Sequence, residues 1–190
     1  MRSKSLSFKT SILLLLIAVL AAFINIAVSH AAMRTVTGTV TKVTDGDSIQ
    51  VTTPEQTKLK VRLYGIDAPE TNKIGNRTGE VNKPGQPYGE ESWKALEGKI
   101  MGRQVKLEVL DIDKYRRLVC MVWSDDRNIN LEMIAAGHAE AFIEYLKPPY
   151  REQFLEAERE AKSARRGVWS LPDYERPRVF RKRLNVSGGD

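Results

Sequence analysis

Residues 34–67, RTVTGTVTKVTDGDSIQVTTPEQTKLKVRLYGID, decide the fold. Apolar and polar residues alternate along 34–43, 49–53 and 58–66, and β-branched residues are frequent, which is typical of strands. The connections at 44–48 and 54–57 hold the Asp, Gly and Pro residues that favour turns. The stretch therefore predicts a three-stranded meander.

The sequence after the meander predicts two further strands and three helices. Alternation at 103–113 and 118–124 indicates the strands, and apolar residues at helical spacing indicate helices within 88–102, 129–137 and 149–167. A meander followed by strands interleaved with helices is typical of a small barrel with helices packed against it. We therefore predict an α+β fold, namely a five-stranded OB-type β-barrel with about three packed helices.

The N-terminus has the composition of a secretory signal peptide. Arg2, Lys4 and Lys9 precede an apolar run over residues 11–28, and small residues follow it. This order predicts removal of residues 1–31 and a secreted or periplasmic protein that meets the membrane only during export. The alternative is an uncleaved membrane anchor in the cell envelope, because the run is roughly long enough to span a bilayer.

The net charge does not by itself indicate a protein that binds polyanions. The chain has 30 Lys and Arg against 24 Asp and Glu, a formal charge of +6. Three of the basic residues lie in residues 1–31, and residues 173–190 hold five basic and three acidic ones. The domain at 32–171 is therefore close to neutral, and phosphate binding there needs local clusters. We expect residues 172–190 to form a basic, disordered tail.

The single cysteine, Cys120, has no partner for an intramolecular disulfide. It lies in the apolar stretch LVCMVW, where we expect a buried small hydrophobic residue. The sequence also contains no His or Cys cluster with the spacing of zinc ligands.

Two aspartates at strand ends are candidate ligands for a divalent cation. Asp47 follows Asp45, which is expected to cap its turn, and Asp67 ends the third strand of the meander. The meander would bring Asp47 and Asp67 together, and a cation would relieve the repulsion between them. Hard cations accept carboxylates, backbone carbonyls and water, so these two aspartates and the Ala68 carbonyl could hold one. The alternative is two ordinary acidic turns.

The same region holds a candidate base and candidate phosphate-binding arginines. Glu70 follows the stiffening Pro69 and could accept a proton from water. Arg62 has the guanidinium that binds phosphate oxygens with two parallel hydrogen bonds. A second arginine, Arg116 or Arg117 in DKYRRL, could share the charge of a phosphoryl transition state. The alternative for each arginine is a surface salt bridge of little energetic value.

Six segments occur in one order along the chain: VTDGDSIQV, VRLYGIDAPET, QPYGEESWKAL, DKYRRLVCMV, INLEMIAAGHA and EQFLEAEREAKSARRGVWS. In this order they resemble the staphylococcal nuclease family over about residues 34–170. The resemblance implies a secreted, Ca²⁺-dependent nuclease that hydrolyses DNA and RNA on the 5′-oxygen side of the phosphate. We expect a monomer whose macromolecular partner is its nucleic-acid substrate.

The resemblance also implies a role for individual residues. The implied calcium ligands are Asp47, Asp67 and the Ala68 carbonyl. The implied catalytic residues are Arg62, Glu70 and Arg117. The implied substrate contacts are Lys114, Tyr115 and Tyr145. Glu70 is the implied general base, and the two arginines bind the scissile phosphate. The spacing around Tyr145 matches the family only loosely.

Two features depart from the pattern of that family. Arg116 stands where the family usually has glycine, so a positive φ there would cost about 1 kcal/mol of strain. With an arginine at this position, Arg116 and Arg117 are both candidates for the catalytic arginine. We favour Arg117 because it directly precedes a strand. The stretch 71–87 is long for a loop in a small domain, and its position after Glu70 suggests that it gates or covers the site.

A non-catalytic OB-fold module that binds nucleic acid is the alternative from another functional class. Such barrels bind single strands through aromatic stacking and a basic groove. Inactive members of the resembled family tend to lose the acidic and arginine residues of the site. This chain keeps all five, Asp47, Arg62, Asp67, Glu70 and Arg117, so the sequence favours a nuclease.

Overall fold

The structure, a computed structural model, describes residues 34–75 and 79–187, and the predicted signal peptide lies outside them. The strands in these ranges are β1 (Arg34–Asp45), β2 (Ser48–Thr52), β3 (Lys58–Leu63), β4 (Ile66–Asp67), β5 (Lys73–Ile74), β6 (Val81–Lys83), β7 (Gln104–Ile112), β8 (Leu118–Ser124), β9 (Arg127–Asn128) and β10 (Glu140–Ala141). The α-helices are α1 (Gly89–Ile100), α2 (Ile129–Ala135), α3 (Tyr150–Ser163) and α4 (Pro177–Ser187), and a 3-10 helix spans Gly167–Ser170.

The predicted meander forms three of the five barrel strands. The strand order is β3-β2-β1-β7-β8-β9, and β3 also pairs with β8, which closes the barrel. The β1–β2 and β2–β3 pairs are antiparallel, whereas the closing β3–β8 pair is parallel. The predicted α+β fold with a five-stranded OB-type barrel is therefore confirmed.

Alternation along the strands fills the barrel with apolar side chains. Val40, Val51, Val61 and Leu107 are fully buried, as is Cys120. Burial and the nearby Glu108 carboxylate raise the pKa of the Cys120 thiol to about 12. The expectation that Cys120 is a buried hydrophobic residue is thus confirmed.

Three helices cover the barrel where the sequence predicts them. Each contributes one buried apolar face, with Leu96 and Ile100 from α1, Met133 from α2, and Phe154 and Ala161 from α3. This burial removes the apolar faces from water and supplies most of the driving force for packing. None of the helices in the described ranges has the length and apolar character needed to cross a bilayer.

Backbone pairing brings the ends of the first three strands together. Ser48 pairs with Arg62 across β2 and β3, and the Leu63 amide donates to the Asp47 carbonyl at 2.8 Å. The next segment, β4, pairs Asp67 with Glu140 of β10. These pairings place Asp47, Arg62 and Asp67 at one end of the barrel.

The long stretch 71–87 contains structure that the sequence did not predict. Strands β5 and β6 pair as a hairpin within it, and residues 76–78 lie outside the description. Asp45 does not cap its own turn but accepts hydrogen bonds from the Thr71 amide at 3.3 Å and the Thr71 hydroxyl at 2.6 Å. It also pairs with Lys73 of β5, so Asp45 ties this hairpin to the barrel.

The expectation of a disordered tail at 172–190 is wrong for most of that segment. Residues 177–187 form helix α4, and Phe180 on this helix is only 5% exposed. The charged composition of this segment did not indicate a helix, because the docking of the helix depends on ion pairs with residues far away in sequence. The described part of the chain therefore has four α-helices, and the fourth approaches the candidate site.

Candidate functional site

A cleft of about 930 Å³ lies at the barrel end that gathers the candidate residues. Six of the predicted site residues line it: Arg62, Glu70, Lys114, Tyr115, Arg117 and Tyr145. The other three, Asp47, Asp67 and Ala68, are at most 3% exposed. Asp47 and Asp67 bind Arg62 from beneath the surface, and the Ala68 amide donates to Asp47. The fold thus brings all nine predicted residues into one region.

Arg62 bridges the two buried aspartates. Its Nη1 lies 3.0 Å from Asp47 Oδ1, and its Nη2 lies 2.8 Å from Asp67 Oδ1. Burial opposes the charged form of the guanidinium, but the two carboxylates outweigh it and raise the pKa of Arg62. A guanidinium has five N–H groups, so Arg62 can hold both carboxylates and still turn donors toward the cleft.

Asp47 is held from several directions. The Ser48 hydroxyl donates to Asp47 Oδ1 at 2.8 Å, and the Ala68 amide donates to Asp47 Oδ2 at 3.1 Å. Gly46, one residue earlier, leaves no room for a side chain, because an added Cβ would lie 1.8 Å from Ser92 Oγ. The tight turn therefore fixes the Asp47 carboxylate beside Arg62.

Glu70 lies at the edge of the cleft on a constrained backbone. Its backbone amide donates to the side-chain oxygen Oε1 of Gln86 at 3.2 Å, and its backbone carbonyl accepts from the backbone amide of Gln86 at 2.9 Å. A Cβ added at Gly89 would lie 2.1 Å from the Glu70 carbonyl oxygen, so only glycine allows this close approach. Burial and the neighbouring Asp47 carboxylate raise the pKa of Glu70. The stretch after Glu70 thus supports its backbone.

The second arginine of the cleft is Arg117. Its Nε and Nη2 both lie 2.7 Å from Asp113 Oδ2, and its Nη1 donates to the Ser48 hydroxyl at 3.3 Å. Burial raises the pKa of Asp113, but hydrogen bonds from the Arg117 backbone amide and guanidinium outweigh burial and lower this pKa. Arg116 has a φ of 61°, the left-handed conformation that favours glycine, and does not line the cleft. This geometry favours Arg117 over Arg116 as the phosphate-facing arginine.

Exposed aromatic and basic side chains border the same cleft. Tyr115 is 67% exposed and Tyr145 is 59% exposed. The Lys114 ammonium lies 5.1 Å from the centre of the Tyr115 ring. Tyr145 packs edge-on against Phe142 with ring centres 4.6 Å apart, and its carbonyl accepts from the Tyr64 hydroxyl. The cleft therefore combines positive charge with exposed rings.

Arg181 of α4 is a site residue that the sequence reasoning missed. Its guanidinium contacts Asp67 at 2.8 Å and Glu70 at 2.9 Å, and it lines the cleft beside Arg62. Arg181 lies 114 residues from Asp67 in sequence. It belongs to a run of basic residues, which by itself favours a solvated tail, so no local signal could have identified it.

The carboxylates fit a hard divalent cation in part. Asp47 and Asp67 offer buried oxygen ligands within 3.0 Å of the same guanidinium. In the ranges 34–75 and 79–187, no group of three or more His, Cys, Asp or Glu side chains is arranged to hold a metal ion. A cation here would therefore rely on the two aspartates, with water, substrate phosphate or a backbone carbonyl completing its shell.

The chain is similar in sequence to known nucleases. The family model described as "Staphylococcal nuclease homologue" matches residues 60–171. Endonuclease Htp3 of Saprolegnia parasitica is 32% identical over 170 residues, which cover 79% of this chain and 77% of that protein. An uncharacterized endonuclease of Haemophilus influenzae is 30% identical over 148 residues, covering 78% of this chain and 74% of that protein.

A plant protein shares a shorter region. The probable staphylococcal-like nuclease CAN3 of Oryza sativa subsp. japonica is 37% identical over 125 residues, which cover 66% of this chain but only 29% of that protein. The family match begins after Asp47 and includes Arg62, Asp67, Glu70 and Arg117. The match covers more than half of the chain, and two of these relatives align with it over most of their own length. The chain therefore belongs to the staphylococcal nuclease family.

Proposed function

We propose that this chain is an exported, Ca²⁺-dependent nuclease that hydrolyses DNA and RNA on the 5′-oxygen side of the phosphate. Its family and the endonuclease names of its relatives support nuclease activity. The observation that carries the proposal is the cleft in which Arg62, Glu70 and Arg117 face one space, with Asp47 and Asp67 bound to Arg62. These groups can bind a phosphate, stabilise its transition-state charge and accept a proton from water.

Substrate binding uses the basic and aromatic border of the cleft. Arg62 and Arg117 bind the oxygens of the scissile phosphate, since guanidinium groups match that geometry. Lys114 adds charge for a neighbouring phosphate. Tyr115 and Tyr145 offer exposed rings on which bases can stack, an interaction that every base allows. This border suits single-stranded DNA or RNA better than a stiff duplex.

The chemical step uses Glu70 and the two arginines. Glu70 takes a proton from the attacking water, and its raised pKa brings it closer to the range in which a general base works efficiently. Arg62 and Arg117 stabilise the negative charge that spreads over the phosphoryl oxygens in the transition state. The 5′-oxygen leaves opposite the water and takes up a proton from solvent, so the products carry 3′-phosphate and 5′-hydroxyl ends. Calcium, when bound by Asp47, Asp67 and the Ala68 carbonyl, supplies additional positive charge at the phosphate.

The export part of the proposal rests on residues 1–31 alone. Their basic, apolar and small-residue segments follow the order of a signal peptide. N-terminal sequencing of the protein from the culture medium or periplasm tests this part. A start at Ala32 or Met33 supports cleavage, and an intact N-terminus in the membrane fraction supports an anchor instead.

The arginine assignments are tested by turnover on a labelled single-stranded oligonucleotide. Arg62→Ala and Arg117→Ala should each lower kcat by about 10²–10³-fold, the usual cost of losing one donor to transition-state charge. Arg103→Ala is the matched control, because Arg103 is exposed, pairs with the exposed Asp125 and lies outside the cleft. If both cleft variants turn over like the Arg103 variant, the assignment is wrong. Products that carry 5′-phosphate ends would contradict cleavage of the bond between phosphorus and the 5′-oxygen.

A further inference from the structure

Helix α4 places a guanidinium on the carboxylates of the candidate site. Arg181 Nη1 lies 3.0 Å from Asp67 Oδ1, and Arg181 Nη2 lies 2.8 Å from Asp67 Oδ2. Nη1 also donates to Glu70 Oε1 at 2.9 Å. Asp67 is fully buried, and Arg62 binds its Oδ1 as well. Both Asp67 oxygens are therefore occupied by positively charged donors.

The segment around Arg181 is docked by several further contacts. Arg176 Nε lies 3.0 Å from both carboxylate oxygens of Glu140, which is 2% exposed. The Gln86 side chain donates to the Glu175 carbonyl at 2.9 Å, and Phe180 is 5% exposed. These contacts hold the segment on both sides of the short link between Glu175 and α4. The position of Arg181 is therefore part of a docked element and not one isolated ion pair.

We propose that α4 is an intramolecular inhibitor of the site, with Arg181 competing against the divalent cation for Asp67 and Glu70. The proposal rests on the nuclease function proposed above. A bidentate guanidinium uses the same two Asp67 oxygens that a hard cation needs as ligands. Arg62 and Arg181 already share Asp67 Oδ1, so a cation would be a third positive group at this carboxylate and has to displace Arg181 to reach both oxygens. The docked helix also pairs Glu70 Oε1 with Arg181, so this oxygen is not free to accept a proton from water.

Cation binding then requires α4 to move away. When only a fraction of the molecules has the competent arrangement, the apparent affinity for the cation falls by that fraction. Removing Arg181 removes this competition and strengthens cation binding even without nucleic acid. Removing the Arg176–Glu140 ion pair, which helps to dock α4, also strengthens cation binding. The effect is smaller because Arg181 is still present to compete.

The test is calorimetric titration of Ca²⁺ into the purified chain without nucleic acid. Arg181→Ala should lower the Kd for Ca²⁺ by at least about fivefold. Lys182→Ala is the matched control, because Lys182 is exposed on the same helix and its removal changes the net charge equally. Arg176→Ala should give an intermediate Kd. Circular dichroism melts of each variant, recorded with the titration, check that the barrel remains folded.

The outcomes separate this inference from the proposed function. Tighter Ca²⁺ binding by Arg181→Ala than by Lys182→Ala supports competition, and it does so even if no variant cleaves DNA. Equal Kd values for the wild type and Arg181→Ala overturn the inhibitory role, and if the same protein cleaves DNA the nuclease proposal still stands. Weaker Ca²⁺ binding by Arg181→Ala also overturns it, because Arg181 would then support the site.

Discussion

Ser48 Oγ lies 3.3 Å from Arg117 Nη1, and the same hydroxyl donates to the Asp47 carboxylate at 2.8 Å. One small side chain therefore connects the candidate cation ligand to the second arginine of the cleft. Ser48 is 8% exposed, so this link is shielded from competing water. Its position at the start of β2, opposite Arg62, is set by the register of the barrel.

Ser48→Ala should lower kcat/KM for a single-stranded oligonucleotide by about 3- to 10-fold, because one hydrogen bond that orients Arg117 is lost. Ser48→Thr keeps the hydroxyl and should stay within about twofold of the wild type. Steady-state kinetics of the two variants checks this pair of expectations. An alanine variant as active as the threonine variant would show that the link does not position Arg117.

Arg116→Gly should raise the free energy of unfolding by up to about 1 kcal/mol, because glycine accepts the left-handed conformation without a steric cost. The φ of 61° at Arg116 is the source of that cost. Urea denaturation of the variant and the wild type measures the difference, and turnover should be unchanged because Arg116 does not line the cleft. A loss of stability, or a fall in turnover similar to that of Arg117→Ala, would contradict the assignment.

Cys120 should be almost inert toward thiol reagents in the folded protein. The thiol is fully buried, and its pKa is raised to about 12 by burial and Glu108, so the reactive thiolate is scarce at neutral pH. Labelling with a disulfide reagent should be at least about 100-fold slower in buffer than in guanidinium chloride. Similar rates in the two solvents would mean that the core opens far more readily than this packing allows.

Glu132 should contribute stability that is lost at low pH. Arg127 and Lys99 bind its carboxylate and lower its pKa from 4.5 to about 2. A carboxyl with a lowered pKa stabilises the fold above its unfolded-state pKa, and this contribution is lost as the pH falls through the folded value. Between pH 4.5 and pH 2, the wild type should therefore lose stability more steeply than Glu132→Gln. Parallel pH curves of unfolding free energy would show that the ion pairs contribute nothing.

The barrel and its first three helices were predictable because their signals are local. Alternation in β1, β2 and β3 and the apolar faces of α1, α2 and α3 reflect burial that each segment shows in its own sequence. Six of the predicted site residues lie in short motifs at strand ends, which the barrel brings together, whereas Lys114, Tyr115 and Tyr145 were implied by the family resemblance. Their roles in catalysis and cation binding stay predictions.

The features that escaped prediction depend on distant partners. Helix α4 carries a run of charged residues, and its docking depends on Arg181 meeting Asp67 and on Arg176 meeting Glu140. The β5–β6 hairpin lies in a stretch rich in Gly and Pro, and Asp45 fixes it to the barrel through Lys73. Composition describes the charge of such segments but does not identify the residues that will pair with them.

We propose that this cleft hydrolyses phosphodiesters with Glu70 as base and calcium as cofactor. The most direct test is the initial rate of cleavage of one labelled single-stranded DNA by the purified chain, in Ca²⁺ and in EGTA, with Glu70→Gln alongside. We expect cleavage in Ca²⁺, none in EGTA, and a rate for Glu70→Gln about 10²–10⁴-fold below the wild type. Cleavage that persists in EGTA, or a Glu70→Gln variant as fast as the wild type, would contradict the account. DNA binding without cleavage under any divalent cation would favour a non-catalytic binding module.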